Sequence, residues 1–315
     1  MKKKILLFAD VGIDDIVALI YAYLSDDIEL VGVVADYGNV PRERAIQTAN
    51  YLMTYVPEEK RFPIIGGAQI PMTAEEPTFY PEIHGEYGLG PIIPEVLSDT
   101  TENFFEIVNI IKQYDGELTV VSIGRLTSLA SMYLLYPDLM DSVKDIYVMG
   151  GAFWVPGNVT AVSEANFYSD PIAARIVMNY ANNLTIIPLN VTDFAIVTPQ
   201  MVDYIDSKGK TELLKPLLDY YYAYYKERNP EIQGSPVHDA ITLMAPLYED
   251  MFTFKELQVY IETTEGHVNQ GQSITDIRPY IKFENGVRKH RIAFGFDYKT
   301  FYNRFMTVMT GEAFD

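Results

Sequence analysis

Asp10, Asp14 and Asp15 place three carboxylates within six positions of this 315-residue chain, directly after an apolar run from Ile5 to Phe8 that stops at Ala9. Carboxylates brought together repel one another, so a convergent set calls for a positive group among them. The physical default is a hard divalent cation, which takes oxygen ligands. Asp is also favoured at helix N-caps and in first turns, where it satisfies free N–H groups and the helix dipole. On the local sequence alone, both uses stay open. Three further polar sets follow apolar runs in the same way: Tyr37-Gly38-Asn39, then Asn158 with Glu164 and Asn166 after VMGGAF, and His238-Asp239 at the head of HDAITLMAPL. Singly, each reads as a turn or a cap. Their recurrence at the carboxyl ends of expected strands is the stronger argument, because open α/β sheets bind ligands there.

The elements that must position these groups are legible as an alternation. Strands are expected at residues 5–9, 28–35, 62–67, 118–124, 145–151 and 184–190, with amphipathic segments such as 14–24 and 41–56 between several of them. Strands apolar on both faces and separated by helices predict an α/β fold, a mostly parallel central sheet covered on both sides. Residues 69–97, rich in Pro, Gly and Tyr and containing HGEYGLG, read as a long functional loop. Residues 208–248 read as a helical insertion that carries the aromatic run DYYYAYYKERN. Beyond residue 250, MFTFKELQVYIE and VRKHRIAFGFD predict added antiparallel strands. No linker or repeat divides the chain, so one domain over 1–315 is expected.

Composition narrows the function. A net charge of −19 argues against nucleic acid and anionic membrane surfaces as partners. The absence of cysteine excludes disulfides, thiol nucleophiles and thiolate metal sites. The apolar run after the opening lysines is too short for a signal-peptide core, and no segment is apolar enough to span a bilayer. A soluble, cytoplasmic protein is the expectation.

Taken together, FADVGIDD (8–15), Gly38-Asn39, HGEYGLG, IGRLTSLA (123–130), VMGGAF (148–153), GNVTAVSEANFYSDP (157–171) and VHDA (237–240) resemble the inosine–uridine-preferring nucleoside hydrolases, calcium-dependent enzymes that cleave ribonucleosides. The matches run in the family order over nearly the whole chain. The family opens with Asp-x-Asp-Pro-Gly-x-Asp-Asp, the place taken here by Phe8 to Asp15.

The resemblance implies a Ca2+ site made by Asp10, Asp15, Asp239 and the main-chain carbonyl of Ile123, a hard-oxygen set. It implies that Asp14, Asn158, Glu164 and Asn166 hydrogen-bond the ribose, with Met149 of VMGGAF also at the substrate, and that Asn39 lies near metal and nucleophile. The implied chemistry is attack of a calcium-activated water on the anomeric carbon, with Asp10 as general base and an oxocarbenium-like transition state. His238 is the matching candidate to aid the departing base, and a satisfied structural histidine is its alternative. Tyr221 and Tyr225, one helical turn apart, could face the nucleobase together, and His84 could close over the site with its loop. A nucleoside substrate and a homodimeric or homotetrameric assembly are further implications.

Phe8 stands where the family has its first Asp, Val11 where it has Pro, and Ser128 where it usually has Asn. None of these removes an implied metal ligand, so metal binding is expected. Two other readings follow from Phe8 and Val11 and from the acidic cluster: a nucleoside- or ribose-binding protein without turnover, and a purely structural calcium site.

Overall fold

The computed structural model describes residues 2–314. An eight-stranded sheet runs through it: β1 (Lys3–Ala9), β2 (Ile28–Ala35), β3 (Ile64–Gly66), β4 (Thr119–Ser122), β5 (Asp145–Met149), β6 (Leu184–Ile187), β7 (Phe252–Gln258) and β8 (Lys289–Phe296). Their spatial order is β3-β2-β1-β4-β5-β6-β8-β7. Every pairing is parallel except that of β7 with β8. The two late strands thus pair antiparallel with each other, as expected, while β8 itself docks parallel on β6. Among the described residues the remaining strands form two short two-stranded ribbons.

β1 shows why the sheet needs two covers. Ile5, Leu7 and Ala9 belong to one buried apolar layer and Leu6 and Phe8 to the other. The first layer is built from α1 (Ile13–Leu24), α2 (Arg42–Met53), α6 (Leu214–Arg228), α7 (His238–Met244) and α8 (Tyr298–Thr310). The second is built from α3 (Thr127–Leu135), α5 (Pro171–Tyr180) and the helix Glu106–Gln113, while the five-residue α4 (Ala165–Ser169) lies just before α5. α1 is buried on nearly every side, as its all-apolar run IVALIYAYL requires.

Strand order reverses between β1 and β4, with β2 and β3 on one side and β5 and β6 on the other. That reversal opens a crevice at the strands' carboxyl ends, where the connections leave in opposite directions. The predicted polar sets all lie at or across that end. Residues 69–97 are a long loop, as expected, with a single helical turn at Pro81–His84.

Candidate active site

A cavity of about 330 Å³ opens over the ends of β1, β2, β4 and β5. Asp10, Asp14, Asn39, His84, Ile123, Met149, Asn158, Glu164, Asn166, Tyr221, Tyr225, His238 and Asp239 all line it. Asp15 is the one sequence-predicted site residue that does not; it lies beneath, fully buried. Asn158 is exposed at the rim, where its Oδ1 accepts from the Ala165 N–H at 2.9 Å.

The carboxylates are positioned by the turn from β1 into α1. Gly12 caps the helix, and its N–H donates to Asp15 Oδ2 at 2.8 Å, so Asp15 is at once a capping residue and part of the site. The Asp10 N–H donates to the other Asp15 oxygen at 3.2 Å, and Asn39 Nδ2 donates to Asp15 Oδ2 at 3.1 Å. Asp239 arrives from the first turn of α7, and one oxygen each of Asp14, Asp15 and Asp239 lies within 4.8 Å of the others. The backbone of Gly38 passes so close to Asp10 that a Cβ there would fall on its carboxylate, which explains glycine at that position.

Burial holds the Asp15 and Asp239 carboxyls well above their usual range, and the neighbouring carboxylates push further in the same direction. Asp14 is raised to about 6 by burial and then by Asp10. Burial also raises Asp10, against the pull of a guanidinium. Oδ1 of Asp10 and Oδ1 of Asp14 are buried with no hydrogen-bond partner among the described residues. The carboxylates that converge are those of Asp14, Asp15 and Asp239, with Asp10 beside them on Arg125, and such a buried oxygen set fits a hard divalent cation, which would supply the missing charge and accept those lone pairs. The Ile123 carbonyl accepts from Asn166 Nδ2 at 3.1 Å and keeps a second lone pair.

Arg125, two residues beyond Ile123, is the cleft residue that the sequence reading missed. It is 2% exposed, and its Nη1 forms an ion pair with Asp10 Oδ2. The same nitrogen reaches Asn166 Oδ1 at 3.2 Å and Asn39 Oδ1 at 3.4 Å, while the Asn39 N–H donates to Asp10 Oδ2 at 2.7 Å. Burial is the largest single influence and works against the charged guanidinium, but Asp10 together with Tyr80, Tyr37 and Glu164 outweighs it and leaves Arg125 more firmly protonated. The available signal was a lone cation in the apolar frame IGRLTSLA at a strand end, since Arg is almost never fully buried unless paired.

The wall opposite is aromatic. Tyr221 and Tyr225 share a face of α6, their rings 4.9 Å apart and edge to face, with hydroxyls 3.3 Å apart. His84 lies 5.7 Å from the Tyr221 ring. Its Nδ1 accepts the Ile13 N–H at 3.1 Å, so that nitrogen carries no proton, and burial lowers its pKa to about 3. His84 is therefore a neutral side chain that accepts the first N–H of α1 and ties its loop to that helix at the cleft. His238 is likewise neutral, lowered to about 4 by burial, with Nδ1 2.9 Å from Thr192 Oγ1.

Glu164 caps α4, and its two oxygens accept the N–H groups of Gly151, Asn166 and Phe167 at 2.8–3.2 Å. Those three bonds oppose the upward push of burial on its pKa. Asn166 ties the wall together, donating to the carbonyl of Met149 at 3.2 Å as well as to that of Ile123.

The three departures from the family motif resolve differently. Phe8 packs into the apolar layer with Leu6 and Phe153 rather than toward the carboxylates. Val11 has φ of 43°, a conformation that the proline it replaces cannot adopt and that strains a β-branched residue. Ser128 donates its hydroxyl to Asp36 Oδ1 and accepts the Ala68 N–H at 2.9 Å, a structural role.

Fold and site together define an α/β enzyme with a polar, carboxylate-floored cleft and an aromatic wall. Residues 5–303 match the family model described as inosine-uridine preferring nucleoside hydrolase, and the chain belongs to that family. It is 31% identical over 281 residues to a pyrimidine-specific ribonucleoside hydrolase of Shewanella woodyi, covering 88% of this chain and 89% of that one. It is 28% identical over 265 residues to uridine nucleosidase 1 of Arabidopsis thaliana, covering 83% and 79%. A purine-preferring ribonucleoside hydrolase from Gardnerella vaginalis superposes with a TM-score of 0.87 at 28% identity, over 98% of both chains. No described helix is long and apolar enough to cross a membrane.

Proposed function

We propose that this chain hydrolyses the N-glycosidic bond of ribonucleosides to ribose and free base, using calcium held among Asp10, Asp15, Asp239 and the Ile123 carbonyl. The observation that carries the reading is the convergence of buried carboxylates at the floor of a cleft whose walls also present Asn39, Asn158, Glu164 and Asn166. Bound there, the ion supplies a water of lowered pKa and a fixed positive charge.

The protein's own groups account for the rest. Asp10 accepts the water's proton, a task for which a buried carboxylate of raised pKa is suited. Asp14, Asn158, Glu164 and Asn166 take the ribose, and the surrounding carboxylates stabilise positive charge developing on the sugar. His238, being neutral, assists the leaving base as a hydrogen-bonding group rather than as a charged acid. His84, Tyr221 and Tyr225 offer aromatic surface to the nucleobase, and the substrates are purine and/or pyrimidine ribonucleosides. A cytoplasmic homodimer or homotetramer completes the proposal, and light scattering on the purified protein tests the assembly.

A reducing-sugar assay over the common ribonucleosides, with and without a calcium chelator, tests the activity. Ribose release that stops on chelation and returns with added calcium is expected; no release from any of them with calcium demonstrably bound would sink the reading. One observation favours a second reading, nucleoside binding with little turnover: the ion pair that occupies an oxygen of the proposed base. Calorimetry showing tight nucleoside binding without product would establish it.

A further inference from the structure

The acidic floor of the cleft already contains a cation. Of the charged side chains lining the cavity, Asp10, Asp14, Glu164 and Asp239 are buried acids, and Arg125 is the buried base among the described residues. Arg228, also at the cavity, is exposed and stacks over Tyr224, 4.4 Å from its ring centroid.

Arg125 is thus placed to act on the carboxylates, and its contacts say how. One nitrogen gathers Asp10, Asn39 and Asn166, which come from the ends of three different strands or their loops. Nε and Nη2 are buried with no partner among the described residues, so the guanidinium spends its one short contact on Asp10. A carboxylate shared between two cations gives each less than its full charge, and the two cations repel.

We propose that Arg125 is a tethered cation that shares Asp10 with the divalent ion, holding Asp10, Asn39 and Asn166 in place without metal and weakening the site's grip on the metal when it arrives. The inference rests on the metal site proposed above but not on turnover. The cluster accordingly keeps a defined geometry in its metal-free form, and its calcium affinity is set by the opposing charge as well as by the ligands.

The test is calorimetric titration of calcium chloride into the metal-free full-length protein, with no nucleoside present, for wild type, Arg125→Gln and Arg125→Lys. Arg125→Gln removes the charge and should bind calcium about tenfold more tightly or better, since a unit charge a few ångströms away in a buried site is worth at least that much. Arg125→Lys keeps the charge and should stay within about threefold of wild type, on the same Coulombic ground. Unchanged or weaker binding by Arg125→Gln would overturn the proposal, as would absence of calcium binding in all three proteins. If Arg125→Gln does not fold, Arg125→Lys still decides: tightening on that variant would mean that shape, not charge, matters. A chain that hydrolysed no nucleoside would give the same titration results, so failure of the proposed activity is distinguishable.

Discussion

β1 and β2 lie side by side in parallel register, Ala9 opposite Ala35, and each delivers an aspartate one residue later. The two strand ends are nearly identical in sequence, an apolar run and Ala-Asp, yet the two carboxylates live differently. Asp10 opens on the cleft, paired with Arg125 and close to Asn39, Asp14 and Asp15. Asp36 is sealed under the loop after β3, where Oδ1 accepts the Ser128 hydroxyl and the Ala68 N–H at 2.6 Å and Oδ2 has no partner among the described residues. Burial raises Asp36 to about 8, against the pull of the Ser128 and Ala68 hydrogen bonds and a weaker one from Arg42. The segment that follows β4 separates the two: it brings the Arg125 cation to Asp10 and, from α3, the Ser128 hydroxyl to Asp36.

Exchanging each aspartate for asparagine should separate the two ends most sharply. Asp10→Asn is expected to lower ribose release by roughly 10²–10⁴-fold, the usual worth of a positioned general base, while Asp36→Asn stays within about threefold of wild type. Equal losses in the two variants would erase the distinction drawn here.

The turns that follow differ as well. β1 leaves through Val11 at a φ of 43°, so restoring the family's proline there should break what it mends on paper. Val11→Pro is expected to cost about 3 kcal/mol or more in denaturant unfolding, because the ring cannot reach that φ. A stable variant would show that the turn has a second conformation available.

The smallest effect concerns Asp36 and pH. Its folded-state pKa lies above its unfolded value, so the stabilisation is fully present below the unfolded pKa and is lost as pH rises through about 8. Asp36→Asn keeps the acceptor without the proton. Its unfolding free energy relative to wild type should therefore rise by on the order of 1 kcal/mol or more between about pH 5 and about pH 8. Parallel stability curves for the two proteins would contradict the assignment.

Much of this was legible in the chain. The strands were readable because they are apolar on both faces; of the six early segments 28–35 matches its strand at both ends and the other five differ only at their ends, as where Pro188 closes β6 and LN begins a helical turn. The acidic cluster and its companions were readable because polar residues seldom follow apolar runs so consistently. What escaped depends on contacts far apart in sequence. Asp36 carries the same local signal as Asp10, and only the placement of Ser128 and Ala68 tells them apart. Arg125 is one charge in an apolar frame, with its partner 115 residues away. His84 sits in a Gly-rich loop, and nothing local reveals its hydrogen bond to Ile13, 71 residues away.

The central claim, that the cleft beside Asp10 hydrolyses nucleosides, is met most directly by product analysis of wild-type protein with uridine and with inosine, in phosphate-free buffer containing calcium. Equimolar ribose and free base, absent with Asp10→Asn and undiminished with Asp36→Asn, is the predicted result. Intact nucleoside after prolonged incubation, or release that persists in Asp10→Asn, would contradict it.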